Sequence, residues 1–97
     1  MRLSRIFPEI KRAVRERNRF DEAAANIEMA VRNNNWPSAR FHAGALVRLI
    51  VDRFSIDFEE RYLAEVHQRW GHFVDVRAIV SDFRYRREQK RLRNQKW

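Results

Sequence analysis

The sequence predicts an all-α protein, a compact bundle of about five helices with a basic helical extension at its C-terminus. Three observations lead there. Only two glycines and two prolines interrupt 97 residues, so the chain has few places to turn and favours long regular elements. From Phe7 onward, apolar residues recur at spacings of three and four, the period of one helix face. The last fourteen residues, 84–97, hold seven Arg or Lys against the single acid Glu88, a density that no core-facing helix bears.

Each helix has its own justification. Phe7 and Pro8 read as a start, because proline is tolerated at the first helical position and presets a helical φ there. Ile10 and Val14 give that first helix a short apolar stripe through Asn18. Asp21 is a cap for a second helix, whose inner face is Phe20, Ala23, Ala24, Ile27, Ala30 and Val31. NNNWPS, residues 33–38, breaks the pattern: asparagine tolerates the left-handed conformation that ends helices, and Trp36 before a proline is pushed toward extended backbone. The third helix runs from about Ser38 to Phe54 with Ala39, Ala43, Leu46, Val47, Ile50 and Phe54 inward, the most apolar element of the chain.

Asp57 and Glu60 match a capping box, Asp at the cap and Glu at the third position. The fourth helix then places Phe58, Tyr62, Leu63, Val66 and Trp70 inward and ends at Gly71. Asp75 caps the fifth, with Val76, Ile79, Val80 and Phe83 as its stripe. HFVDVRAIV, residues 72–80, is rich enough in β-branched residues to suit a strand, but a lone strand has no partner in this chain, so helix is favoured. The organisation that results is a helical domain over residues 1–83, its first 19 residues basic, followed by a basic extension over 84–97.

Composition narrows the function. With 44% hydrophobic and 35% charged residues the chain is not disordered throughout. The absence of cysteine excludes disulfides and thiolate metal sites and fits a reducing compartment. The longest apolar run, residues 43–47, is far too short for a bilayer, and MRLSRIFPEIKR lacks the apolar core of a secretory signal. The expected setting is cytoplasmic, the host cytoplasm if the chain is phage-encoded, with no membrane contact.

Charge is uneven along the chain. Residues 1–19 hold seven cations and two anions, residues 20–83 seven cations and ten anions, and the remainder seven cations and one anion. Arg outnumbers Lys by 18 to 3, and the planar guanidinium suits bidentate capture of phosphate or carboxylate. The candidate contact residues are therefore Arg84, Tyr85, Arg86, Arg87, Lys90, Arg91, Arg93, Lys96 and Trp97 at one end, and Arg12, Arg15 and Arg19 at the other. Beyond Phe83 the cations are expected all round the helical wheel, so this stretch must be solvated or meet something acidic. Tyr85 and Trp97 add rings that stack on bases or fill a partner's pocket.

No constellation points to catalysis. His42, His67 and His72 lack the spacing of a helical metal site, and two isolated glycines make no phosphate-cradling loop. No catalytic residue, metal or cofactor is expected. A helix-turn-helix would put Ser38, Arg40 and His42 at the start of a recognition helix, but the length of the break and the apolar character of that helix favour two packed core helices. The expected function is non-enzymatic: nucleic-acid binding through the Arg-rich ends without strong sequence specificity. The alternative is an adaptor or inhibitor, of the type phages and mobile elements encode, docking on a nucleic-acid-processing enzyme such as a nuclease or helicase.

Overall fold

The computed structural model describes the backbone of residues 3–95 and the side chains of residues 8–95. Four helices make it up: α1 (Leu3–Arg32), α2 (Trp36–Arg53), α3 (Ile56–Trp70) and α4 (Val76–Gln95), with no strand among the described residues. The chain divides into two compact units, Met1–His42 and Ala43–Trp97.

The expectation of an all-helical chain holds, and that of five helices does not. The first two expected helices are one, the 30-residue α1, with Pro8 inside it and not at its first position. No glycine or proline lies between Asn18 and Asp21 to stop the helix. Asp21 does not cap; its carboxylate accepts from Arg17 Nε at 3.0 Å, a pair one turn apart that spans the expected break. Two apolar stripes suggested two helices because they occupy different faces. At 100° per residue, Ile10 and Val14 lie roughly 100° round the axis from Phe20, Ala24 and Ile27. Only the second stripe is buried, together with Ala30.

The end of α1 follows the asparagine logic. Asn34 sits at φ 55°, the left-handed region. Its amide donates to the Val31 carbonyl and that of Asn35 to the Ala30 carbonyl, the paired bonds of a Schellman ending. Asn35 then caps α2, its Oδ1 accepting from the Ser38 amide at 3.3 Å. Trp36 is thus the first residue of α2 and is helical, not extended, two residues before the expected start. The break between the helices is only three residues, Asn33, Asn34 and Asn35, shorter than the sequence suggests.

The inward face of α2 is as expected: Ala39, Ala43, Leu46, Val47, Ile50 and, just past its end, Phe54 are all buried. In the unit from Ala43 onward, Phe54 meets the edge of Tyr62 of α3 at 5.0 Å between centroids. A Cβ built on Gly44 would lie 4.0 Å from Ile79 Cδ1, so α2 and α4 approach at this point. Tyr62, Val66 and Trp70 of α3, with Val74 and Val76, complete the buried set, and α3 packs on α4. Each fully buried aliphatic side chain here, such as Val66 or Ile50, contributes about 1.5–3 kcal/mol relative to exposure.

Helix α3 begins one residue before the expected cap. Ser55, at φ −64° and ψ 148°, takes the cap position without a side-chain capping bond, and its carbonyl receives the Phe58 and Glu59 amides. Asp57 and Glu59 sit in the first turn, where carboxylates meet the positive end of the helix dipole. Gly71 ends α3 as expected but with right-handed φ −63°. Glycine is needed there for space, because a Cβ would collide with the His67 carbonyl oxygen. After the turn over residues 71–73, Asp75 caps α4 by accepting from the Ala78 amide at 3.1 Å, and residues 76–80 are helical.

Two substitutions test these junctions by denaturant unfolding. Gly71→Ala is expected to cost about 1–3 kcal/mol, the usual range for forcing an atom into occupied space. Asp75→Ala should cost about 1 kcal/mol, the loss of one N-cap.

Candidate nucleic-acid or partner interface

Helix α4 changes character along its length. Val76 is buried and Ile79, Val80 and Phe83 are half-buried, whereas every residue of 84–95 is exposed. The apolar stripe stops at Phe83, and the helix goes on for three further turns without a buried side. Tyr85 is 64% exposed and Leu92 43%, and their separation of seven places them on one side of the helix. Arg84, Tyr85, Arg86, Arg87, Lys90, Arg91 and Arg93 thus share one exposed helical segment, but the cations do not surround it as expected. At 100° per residue they fall within about half of the circumference, and Tyr85 and Leu92 lie on the other half. Lys96 and Trp97 lie outside the described residues.

The cations of this segment are not equivalent. Arg84 Nη2 reaches Glu59 Oε1 of α3 at 2.6 Å, and Arg87 Nη1 stands 3.8 Å from Asp52 Oδ1 of α2. These two arginines tie the exposed half of α4 back to its own unit, and Arg87 also lies 5.9 Å from the centre of the Phe83 ring. Arg86 pairs with Asp82 at 3.1 Å and Arg91 with Glu88 at 2.7 Å, both along α4 itself. Lys90 and Arg93 have no ion pair among the described residues. Apart from Glu88, the counter-charges Asp52, Glu59 and Asp82 escape a reading of the segment alone, because two come from other helices. The signal for Asp82 was available: it precedes Arg86 by four on a helix.

Arg12, Arg15 and Arg19 are exposed on α1 and make no ion pair among the described residues. Arg15 and Arg19 form a row with Lys11 along one wall of a shallow groove, and Ile10, Val14, Asn18 and Glu22 form the other. Ile10 and Val14 are each 53% exposed, a pair of aliphatic side chains left in water at the centre of a basic segment. Glu16, which the charge pattern counts as a surface acid, is instead 4% exposed. It sits on the same face as Phe20 and Ala24, so the solvent-facing surface of this segment is more cationic than the sequence count implies.

The remaining candidates come apart. Of Ser38, Arg40 and His42, only Arg40 is exposed, and His42 lies edge-on to Phe41. His67 and His72 are exposed at the far end of α3. Among the described residues, no group of three or more His, Asp or Glu side chains is placed to hold a metal ion. No helix among them is long and apolar enough to cross a membrane. No protein-family model, curated protein or solved structure matches the chain.

The pair between Arg84 and Glu59 is the anchor most open to test. Glu59→Gln should lower stability by about 0.2–1 kcal/mol in low salt, and by less in high salt, as screening removes a partly exposed ion pair.

Proposed function

We propose that the chain is a non-enzymatic basic protein acting in nucleic-acid transactions, binding DNA or RNA through its Arg-rich ends without strong sequence preference. One observation supports this above the others: twelve successive helical residues of α4, 84–95, are exposed, and Arg84, Arg86, Arg87, Lys90, Arg91 and Arg93 spread over about half of the helix circumference. Such a rod suits a line of phosphates. It does not suit base reading, which needs a few side chains held at one groove floor. Tyr85 supplies a ring for stacking, which tolerates any base. The carboxylates of Asp52, Glu59, Asp82 and Glu88 hold the guanidinium groups in place until phosphate displaces them. Arg12, Arg15 and Arg19 add to the long-range attraction.

A second reading is favoured by a different observation. Ile10 and Val14 gain nothing from a phosphate backbone, and their exposure on α1 suits a protein surface. In that reading the chain is an adaptor or inhibitor that docks on a nucleic-acid-processing enzyme, in the manner of a phage- or mobile-element-encoded modulator of a host nuclease or helicase.

A binding titration separates the two. The full chain and a version ending at Phe83 are each titrated with random duplex, single strand and RNA at several salt concentrations. The full chain is expected to bind with a log–log salt slope of about −4 to −6, the value for roughly five to seven phosphates. The shortened chain should lose at least tenfold in affinity and most of that slope. A folded full chain that binds none of the three near physiological salt would refute the nucleic-acid reading and leave protein docking.

A further inference from the structure

We propose that the groove along α1 is a docking site for a helix of an acidic partner protein, an inference that rests on the second reading above and not on α4. The groove has the form that helix packing uses. Ile10, Val14, Asn18 and Glu22 follow one another at intervals of four, as do Lys11, Arg15 and Arg19, and the space between two such ridges receives a ridge of another helix. From Ile10 to Glu22 it runs about 18 Å, at 1.5 Å per residue, or some three turns of a partner.

The chemistry of the two walls selects the occupant. One wall opens with Ile10 and Val14, which are stabilised only by a partner that takes them out of water. The other wall holds three cations, and exposed Arg12 stands beside it. An amphipathic helix with leucine or isoleucine at intervals of three and four, and Asp or Glu alongside, satisfies both walls at once. Nucleic acid satisfies the cationic wall alone. A second copy of this chain would bring like charges together at Lys11, Arg15 and Arg19. The apolar pair also lies roughly 100° round α1 from the stripe formed by Phe20, Ala24 and Ile27, so the helix already has its buried face and this one is additional.

The full chain is used as bait for a displayed library of helical peptides with every position varied. Enriched peptides are expected to combine Leu or Ile at three- and four-residue spacing with flanking Asp or Glu. Their affinity should fall at least tenfold on Ile10→Asp, on the neutral Ile10→Ser and on Arg15→Glu, while duplex affinity changes less than twofold on Ile10→Ser. Both positions are exposed, and circular dichroism should show the helix content unchanged. Acidic peptides without the apolar spacing would overturn the proposal, since general charge attraction would then account for binding. Correctly patterned peptides indifferent to Ile10→Asp would overturn it too, while sparing the adaptor reading, because docking would be elsewhere on the chain. No enriched peptide at all would refute both. Sedimentation of the free chain gives the last arm: a dimer that dissociates on Ile10→Asp would assign the groove to a second copy and end the proposal.

Discussion

Helix α4 has an apolar side for only its first two turns. Everything that distinguishes the C-terminal half of this molecule depends on that limit. Up to Phe83 the helix is held by contact with α3 and by the approach of Ile79 to Gly44 on α2. Past Phe83 no side chain among the described residues is buried, and Tyr85 and Leu92 are left exposed, so the helix persists through its own backbone bonds and its charge pairs. The arginines nearest the junction, Arg84 and Arg87, point back to Glu59 and Asp52. Those farther out pair along the helix or stand in water. The result is a rod fixed at its base, along which Lys90 and Arg93 are the cations without an ion pair among the described residues.

The N-terminal helix reaches a related condition by another route. Its buried face, with Glu16, Phe20, Ala24 and Ile27, is complete without Ile10 and Val14. The aliphatic pair therefore occupies a face that the rest of α1 leaves to cations. On α4 the exposed surface is cationic on one half, with Tyr85 and Leu92 on the other. On α1 it is charge bordering a strip of hydrocarbon. Both ends are proposed to attract nucleic acid, and only the N-terminal one is proposed to seat a partner helix as well.

Much of the fold was legible because local chemistry decides it. The inward stripe of α2, the asparagine ending of α1, the Asp75 cap and the exposure beyond Phe83 all follow from residues close together in the chain. The errors arose where the deciding influence was not local. Asp21 resembles a cap, yet a cap forms only where the helix stops, and nothing between Asn18 and Asp21 stops it. Asp57 resembles one as well, but Ser55 precedes it and already receives the first-turn amides. The candidate site shows the same division. That the tail is cationic and exposed could be read directly. That Glu59, 25 residues away from Arg84, supplies its counter-charge could not, because only packing of α3 on α4 brings them together.

The placement of the tryptophans gives the molecule a natural set of optical probes. Trp70 is 4% exposed with the Arg69 guanidinium 4.5 Å from its ring centre, and Trp36 is 37% exposed at the start of α2. The first belongs to the unit Ala43–Trp97 and the second to Met1–His42. An indole sheltered from water emits at shorter wavelength than one in contact with it. The emission of these two indoles is therefore a superposition of two environments, one from each unit, to which Trp97 adds its own in the full chain. Ending the chain at Phe83 removes Trp97 and leaves those two indoles alone. Replacing either by Phe would then let the loss of structure in each half be followed separately, without attaching a dye.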